Sequence, residues 1–321
     1  TVAARSARGI YLQELATGGD LVVGHVQGSA SVSVQQVRFN STISPVTAGD
    51  IAGTALQPLD DLETTAGPIK VVVRGGSLTV NDGTDGDGLG VSAGGASDIL
   101  LWASSNLDIN AQVRSGGGHV TLQAGNDIDI DAAVSTTATG TVYVTGHDLR
   151  VNATVTNTAG DQLFSATQDL NVNALLSSTT GSIGLLAGRD ITQAANISAG
   201  GDVLINAVRD FTQSSLIGSG VSTTAGDTVQ LTTGGTQRLA LLSAGHIALD
   251  AGGDILDIND VNVPNSLNLR ANSLRMVAGG IIGGADLLAA PDTNASALDT
   301  EVVTVAARSA RGIYLQELAT G

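Results

Sequence analysis

Short runs of alternating apolar and polar residues recur through most of this chain. In the segment HVTLQAGNDIDIDAAV (His119–Val134), the apolar residues Val120 and Leu122 alternate with polar ones, and so do Ile128 and Ile130. Such alternation places one side of a strand inside the fold and the other in solvent. Each run is too short to form an independently stable hairpin. The pattern therefore predicts short strands that are joined by corners rich in Gly, Ser, Thr, Asn and Asp.

The strand pattern repeats along the chain with a nearly constant spacing. The apolar residues that open one of the runs are separated by 21, 21, 21, 21 and 20 positions; they are Leu107, Ile128, Leu149, Leu170, Ile191 and Phe211. A β-sandwich requires no fixed spacing of this kind. In a solenoid, each residue lies over its counterpart one coil away, at roughly 4.8 Å. We therefore predict an all-β parallel β-helix (β-solenoid) with three strands per coil of about 20 residues and roughly 15 coils.

A second repeat is much longer. The opening segment TVAARSARGIYLQELATG (Thr1–Gly18) recurs without change from Thr304 to Gly321. This repeat predicts one tandem unit at 1–303, folded as a single continuous solenoid, and the start of the next copy at 304–321. The expected partners are therefore further copies of the same repeat in the same chain.

The coil pattern is not uniform along the unit. It is most regular over 98–278 and less regular over 9–70. Two segments interrupt it and are expected to leave the solenoid. Gly218–Thr224 is expected to bulge from a corner as a loop, and Leu56–Pro68 to form a protruding loop or a short helix.

Composition excludes several classes of protein. The 321 residues carry 14 Lys and Arg against 30 Asp and Glu, a net charge of −16, and no Cys. An acidic chain without clustered cations is not expected to bind nucleic acid. The absence of Cys excludes disulfides and thiolate metal sites. No charged-then-apolar leader opens the sequence, and no apolar run is long enough to predict membrane insertion.

Several of the repeating runs resemble a known family. AGNDIDIDAAVS, GHDLRVNATV, GRDITQAANISAGGDVLINA and AGGDILDI are similar to the repeats of filamentous-haemagglutinin-like, giant repetitive bacterial surface proteins. The resemblance covers about Asp98 to Ala278. It implies a right-handed parallel β-helix, an extracellular or bacterial cell-surface location, and a role as a stalk, adhesin or fibre. The N-terminal secretion domain of those proteins has no counterpart in this sequence.

The strongest chemical candidate is the run NDGTDGDGLG. Its carboxylates at Asp82, Asp85 and Asp87 lie on a Gly-rich loop between two strand-like runs. Several oxygen ligands on flexible backbone suit Ca²⁺, so we predict a calcium site. The Glu that closes a helix–loop–helix calcium loop is missing, and a solvated acidic turn is the alternative. The fold itself requires no cofactor.

A column of aspartates follows from the same period. Asp127, Asp148, Asp169 and Asp190, continued by Asp210, each stand just before a strand. Like charges stacked about 5 Å apart repel. We expect each carboxylate to accept N–H groups of its own turn, with His147, Arg189 and Arg209 screening the charge. A metal ladder is the alternative. One coil apart, Asp129 is expected to face Arg150 as a surface ion pair.

Other polar columns are predicted to be structural. Asx residues tolerate the backbone of a tight bend and can hydrogen-bond along a ladder; here they are Asn110, Asp131, Asn152 and Asn173. Gln193 and Gln213 fall where earlier coils have inward Val, so their buried amides are expected to pair with each other. The four histidines, at 25, 119, 147 and 246, show neither the spacing nor a carboxylate partner that would suggest zinc, and they are predicted to be solvated corner residues.

Three functions compete. A structural rod, stalk or fibre segment that stacks end to end, with lateral self-association, is the first interpretation. The second is an adhesive module that presents loops to a glycan or protein. The third is a polysaccharide-degrading enzyme, which would require two carboxylates at a defined separation. Adjacent Asp60 and Asp61 offer no such pair, although Lys70 and Arg74 lie close to the acidic loop in sequence. We therefore predict that the protein is not an enzyme and has no catalytic residues.

Overall fold

The computed structural model describes residues 1–15, 19–27, 58–214, 221–259, 266–284 and 296–318, together with the backbone of two further strands, Ser33–Val37 and Ile43–Thr47. The part of the predicted corner loop before residue 221 lies outside these residues, as do the first two residues of the segment expected to protrude at 56–68. The loop prediction for Gly218–Thr224 was wrong for its last three residues, which belong to the strand Ser222–Ala225. In the described part of the chain, no helix is long and apolar enough to cross a membrane.

The chain winds as a parallel β-helix with three strands in each coil, which confirms the predicted fold class. Each coil has three faces, which we number in the order in which the chain passes through them. The second-face strands have five or six residues in the regular coils; they are Ile10–Glu14, Ile69–Val73, Ile99–Ala103, Val120–Ala124, Val142–Gly146, Gln162–Ala166, Ile183–Ala187, Val203–Ala207, Thr228–Thr233 and His246–Ala251. The first-face strands precede them; they are Ala4–Ser6, Leu62–Thr64, Leu89–Ala93, Gln112–Ser115, Val134–Thr136, Val155–Asn157, Leu176–Ser178, Ile197–Ala199, Ser222–Ala225 and Leu241–Ser243.

The third face forms a separate sheet. Its twelve parallel strands are Leu21–Val23, Leu78–Val80, Leu107–Ile109, Ile128–Ile130, Leu149–Val151, Leu170–Val172, Ile191–Gln193, Phe211–Gln213, Gln237–Leu239, Ile255–Asp257, Ile281–Ile282 and Gly312–Ile313. In the last two coils the first and second faces are continuous, because Leu269–Ala278 and Leu298–Ser309 each run along both. The short strand Leu315–Glu317 pairs back onto Leu298–Ser309 and starts a thirteenth coil.

The described chain thus completes twelve coils, fewer than the roughly 15 expected from the regular period. The step along the third face is constant from Leu107 to Ile191, and the next step, to Phe211, is one position shorter. Other coils are longer because segments are inserted at their corners. Phe211 lies beside Gln237, and Leu21 lies beside Leu78, although both pairs are farther apart in sequence than the regular step. Dividing the chain length by the regular period therefore overestimates the number of coils.

The core is a set of apolar columns inside the three faces. Along the centre of the second face, each inward side chain lies over its counterpart in the next coil, and all are at most 1% exposed; they are Val71, Leu101, Leu122, Val144, Phe164, Leu185, Ile205, Leu231, Leu249 and Met276. Burial of such side chains is worth roughly 1.5–3 kcal/mol each. The alternation seen in the sequence is therefore the source of the core.

The irregular region near the N-terminus is an insertion between the first two coils. Ile10–Glu14 pairs directly with Ile69–Val73, so the chain leaves the solenoid after Val23 and returns at Leu62. Within the insertion, the antiparallel hairpin Ser33–Val37 and Ile43–Thr47 forms its own two-stranded sheet. The interpretation of 56–68 as a protruding loop or short helix was wrong for Leu62–Thr64, which is a solenoid strand with Leu62 fully buried.

The two copies of the repeated opening segment occupy different faces. In the first copy, Ala4–Ser6 lies on the first face and Ile10–Glu14 on the second. In the second copy, the residues that match Ala4–Ser6 end the long strand Leu298–Ser309 and lie on the second face. The strand Gly312–Ile313 then lies on the third face. The same sequence is therefore displaced by one side of the coil.

Candidate functional site

The aspartate column lies at the corner between the second and third faces. Each aspartate directly precedes a third-face strand, and its Oδ1 accepts the backbone N–H of the corresponding residue one coil later. That residue is again an aspartate except for Asp210, which accepts the N–H of Thr236 at 2.7 Å. The N···Oδ1 distances are 3.2 Å for Asp148 to Asp127, 3.0 Å for Asp169 to Asp148, 3.2 Å for Asp190 to Asp169 and 3.1 Å for Asp210 to Asp190. We expected bonds within each aspartate's own turn. The N–H groups instead come from the next coil, so each carboxylate joins two coils.

Two arginines offset the negative charge of this column. Arg189 donates from Nε to Oδ1 of Asp169 at 2.6 Å, and Arg209 donates to Oδ1 of Asp190 at 2.8 Å; in each pair a terminal guanidinium nitrogen contacts the second carboxylate oxygen. These hydrogen bonds hold the pKa values of Asp169 and Asp190 below their ordinary range. The charged form of both carboxylates is thereby favoured at neutral pH.

His147 lies beside the same column. Its Nδ1 is 3.5 Å from Oδ1 of Asp127 and 3.8 Å from Oδ2 of Asp148. This is the column that His147 was expected to screen. His25 also has a carboxylate neighbour, which its position in the sequence did not indicate: its Nδ1 is 2.8 Å from Oδ1 of Asp60. The hydrogen bond to Asp60 raises the pKa of His25.

A second column of the same design, which was not predicted from the sequence, stands just before the second-face strands. The backbone N–H of His119 donates to Asp98 at 2.9 Å, that of Ser182 to Asp161 at 2.8 Å, and that of Thr228 to Asp202 at 3.0 Å. Part of the signal was present as the middle residue of GHV, GSI and GDV, which start at Gly118, Gly181 and Gly201, whereas Asp98 and Asp161 lie in SDI and GDQ. It varies among Asp, His, Thr and Ser, so identity alone did not reveal it.

The asparagine column lies just after the third-face strands. The Nδ2 of Asn152 donates to Oδ1 of Asp131, that of Asn173 to Oδ1 of Asn152, both at 2.8 Å, and that of Asn110 to Oδ1 of Asn81 at 3.0 Å. These side chains are exposed. They link successive coils at a corner. On the third face itself, Arg150 donates to Asp129 at 3.2 Å as a surface ion pair.

Gln193 and Gln213 point into the core and are fully buried. The Nε2 of Gln213 donates to Oε1 of Gln193 at 3.2 Å, and Thr223 donates to the same oxygen at 2.8 Å. Oε1 of Gln213 accepts the backbone N–H of Ala240 at 2.7 Å. The pair belongs to a buried polar network. Gln213 ends the strand Phe211–Gln213, and Thr223 and Ala240 come after the insertion that follows this strand. These hydrogen bonds provide partners for the two amides inside the core.

The acidic loop joins the third face of one coil to the first face of the next. Asp82, Asp85 and Asp87 come together there with Asp61, which sequence analysis did not include. One oxygen of each of the four carboxylates lies within 4.8 Å of the others. Asp82 and Asp87 also accept backbone N–H groups of Gly88 and Leu89, at 3.2 and 2.8 Å. The structure therefore adds a fourth carboxylate to the predicted set.

Asp61 differs from the other three aspartates because it is buried, with only 1% of its surface exposed. Burial, and then the charges of Asp85, Asp87 and Asp82, raise the pKa of its carboxyl to about 7. The adjacent Asp60 also contacts the acidic loop, but through a hydrogen bond. Its Oδ1 accepts the N–H of Thr84 at 2.7 Å, and this bond lowers the pKa of Asp60.

Comparison with known proteins identifies no relative: no family model, no curated protein and no solved structure matches this chain.

Proposed function

We propose that this protein is a structural rod, a stalk or fibre segment of a larger tandem-repeat protein. The observation that supports it best is the continuous parallel ladder, which runs from Ala4–Ser6 through twelve coils to Leu315–Glu317. Every coil in this ladder pairs with its neighbours through backbone hydrogen bonds and a shared apolar interior. Such a quasi-one-dimensional fold resists bending and can grow without a change of interior.

Tandem growth is supported by the exact recurrence of the segment 1–18 at 304–321. The strands of a terminal coil carry unpaired N–H and C=O groups that invite pairing with another chain. A following unit in the same chain pairs with these groups and continues the apolar columns. End-to-end stacking is therefore the proposed role of the repeat, and the partners are copies of the same unit.

The rod is proposed to stand outside the cell, on a bacterial surface. Support comes from the similarity of runs such as GHDLRVNATV to filamentous-haemagglutinin-like repeats. A net charge of −16 with no Cys also suits a solvated surface stalk. In this proposal the carboxylates of the columns accept hydrogen bonds between successive coils and carry out no reaction.

Electron microscopy of proteins with one and two consecutive copies of the 1–303 unit tests the rod. The second copy starts one face further on, in the twelfth coil, so one 303-residue unit advances by about eleven and one third coils. At roughly 4.8 Å per coil, the increment is about 54 Å per unit. We expect thin rods that lengthen by this amount, with unchanged width. Compact particles, or rods of equal length for one and two units, would rule the proposal out.

An adhesive module is the second candidate, and the hairpin of the insertion favours it, whereas an exposed apolar column on the second face also fits lateral contact between rods. The hairpin of the insertion forms a sheet separate from the solenoid. On the outer side of the second face, Tyr143, Leu163 and Leu204 lie in one column around Gly184, and are 37%, 37% and 41% exposed. An exposed apolar column of this kind suits lateral contact with another rod or a protein partner.

The contribution of this column is measured by comparing wild type with the double variant Leu163→Ser and Leu204→Ser. Analytical ultracentrifugation over a range of concentrations reports lateral self-association. Weaker association of the variant supports a lateral contact. Equal sedimentation of both proteins at every concentration contradicts it.

A further inference from the structure

The loop at residues 81–88 and the end of the insertion meet at one corner of the solenoid. Asp61 is the last residue of the insertion before the buried strand Leu62–Thr64. Asp82, Asp85 and Asp87 lie between the strands Leu78–Val80 and Leu89–Ala93. Residues from both sides of the corner therefore contribute carboxylates to the same small volume.

The decisive feature is the carboxylate of Asp61. The residue is only 1% exposed, yet its Oδ1 has no hydrogen-bond partner among the described residues. Oδ1 of Asp82 is buried and without such a partner in the same way. A buried carboxylate oxygen without a donor is costly, so buried charges in proteins are normally paired or bind a metal. Both residues belong to the cluster in which one oxygen of each of the four carboxylates lies within 4.8 Å of the others.

We propose that Asp61, Asp82, Asp85 and Asp87 bind a Ca²⁺ ion, which fastens the returning end of the insertion to the solenoid corner. The proposal goes beyond the rod function and does not depend on it. The ion would offset the mutual repulsion of the four carboxylates and supply a partner for the buried oxygens of Asp61 and Asp82.

The loop is already held in a shape that suits such an ion. Oδ2 of Asp82 and Oδ1 of Asp87 accept N–H groups of the loop itself. Gly86 and Gly88 have φ values of 72° and 76°, which other residues rarely adopt. A Cβ atom on Gly83 would lie 2.1 Å from Oδ1 of Asp60, so Gly83 permits the loop to pack against the insertion.

The donor set favours Ca²⁺ over other cations. Four carboxylates on an irregular loop suit Ca²⁺, which accepts six to eight oxygens in flexible geometry. Mg²⁺ requires near-octahedral geometry and retains most of its waters. Zinc prefers Cys and His ligands; the chain has no Cys, and the Nδ1 of nearby His25 is bonded to Asp60.

Isothermal titration calorimetry of the full chain, freed of metal with a chelator that is then removed, tests the proposal. CaCl₂ and MgCl₂ are titrated separately to about 5 mM, beyond the range of weak protein sites. We expect saturable binding of about one Ca²⁺ per chain and at least roughly tenfold weaker binding of Mg²⁺. Absence of saturable calcium binding, or equal affinity for Mg²⁺, would overturn the proposal.

Three variants locate the site. Asp61→Asn and Asp85→Asn each remove one ligand charge, and Asn tolerates the left-handed backbone of Asp61, whose φ is 63°. Asp227→Asn removes the same charge from an exposed corner elsewhere. We expect calcium affinity to fall at least roughly tenfold in the first two and to remain at the wild-type value in the third.

Circular dichroism of each variant separates loss of binding from loss of folding. If Asp61→Asn fails to fold, Asp85→Asn decides the outcome, because Asp85 is exposed. Calcium should also raise the midpoint of thermal unfolding of wild type, as expected for a ligand that binds only the folded state, and raise that of Asp85→Asn less at the same calcium concentration. Wild-type calcium affinity in Asp85→Asn would refute the assignment.

Discussion

The backbone N–H of Asp148 donates to Oδ1 of Asp127, the residue that lies one coil earlier at the same corner. The same contact recurs with Asp169 above Asp148. A column of like charges is therefore tolerated because each of these carboxylates accepts a backbone hydrogen bond from the next coil. The hydrogen bonds join coils at a corner, where the strand ladders are interrupted.

Two replacements of Asp148 distinguish the stability contribution of its hydrogen-bond acceptor from that of its negative charge. Asp148→Ala removes the acceptor of the Asp169 N–H and should lower the free energy of unfolding by about 1–2 kcal/mol. Asp148→Asn keeps an oxygen acceptor and relieves repulsion, so its stability should lie within about 0.5 kcal/mol of wild type. Denaturant unfolding measures both.

The control for this pair is Asp129→Ala, which removes only a surface ion pair with Arg150. We expect a change of at most about 1 kcal/mol. Equal destabilisation by Asp148→Ala and Asp148→Asn would show that the charge, and not the accepted hydrogen bond, is what matters at this corner.

The arginine partners should control the ionisation of individual aspartates. Arg189→Gln removes the guanidinium that lowers the pKa of Asp169, so that pKa should rise toward its ordinary value. Arg209→Gln should have the corresponding effect on Asp190. Carbon-13 NMR titration of the carboxyl groups measures both. Unchanged pKa values in the two variants would show that the arginines do not set them.

The buried glutamine network should be intolerant of apolar replacement. Gln213→Leu leaves the N–H of Ala240 without its acceptor and should lower the free energy of unfolding by about 1–3 kcal/mol. Thr212→Val, at the neighbouring outward position, is the control and should change it by at most about 0.5 kcal/mol. Faster hydrogen exchange at the Ala240 amide should accompany the loss. Wild-type stability of Gln213→Leu would contradict the role of this network.

The buried carboxyl of Asp61 should make stability depend on pH. Its pKa is about 7 in the folded protein, above that of an unfolded aspartate, so the folded state holds this proton more tightly. The resulting stabilisation is complete below pH about 4 and is lost as pH rises through about 7, by up to a few kcal/mol. Asp61→Asn carries no such proton.

The measurement is the difference in the free energy of unfolding between wild type and Asp61→Asn, from pH 4 to 8 with a chelator present. The comparison cancels the contribution of Asp299, whose pKa is raised to about 6 by burial and by Asp257. We expect wild type to lose stability relative to the variant as pH rises. Parallel curves would mean that Asp61 titrates normally.

Much of the fold was predictable because the interior is periodic. Residues such as Ile128 and Leu149 were assigned to one column from their spacing alone, and the structure pairs them directly. The inward orientation of Gln193 followed from the same register. The fourth carboxylate at the acidic loop was not predictable, because Asp61 reaches it only where the insertion returns to the solenoid.

The repeated opening segment separates local from tertiary effects most clearly. By itself, the sequence determines a turn in which the Oγ of a serine accepts the N–H groups of the second and third residues that follow it. This turn forms at Ser6 and again at Ser309, and the third residue is in both cases a glycine, with φ of 154° and 156°.

Only the tertiary structure decides which corner of the coil that turn makes. At Ser6 it connects the first face to the second, and at Ser309 the second to the third. The hydrogen bonds of the turn involve neighbouring residues and are the same in both copies. The face depends on the ladder with the adjacent coil, which for Ser6 begins at Leu62 and for Ser309 is the long strand Leu269–Ala278. Strand register is set between coils, so identical residues take different positions.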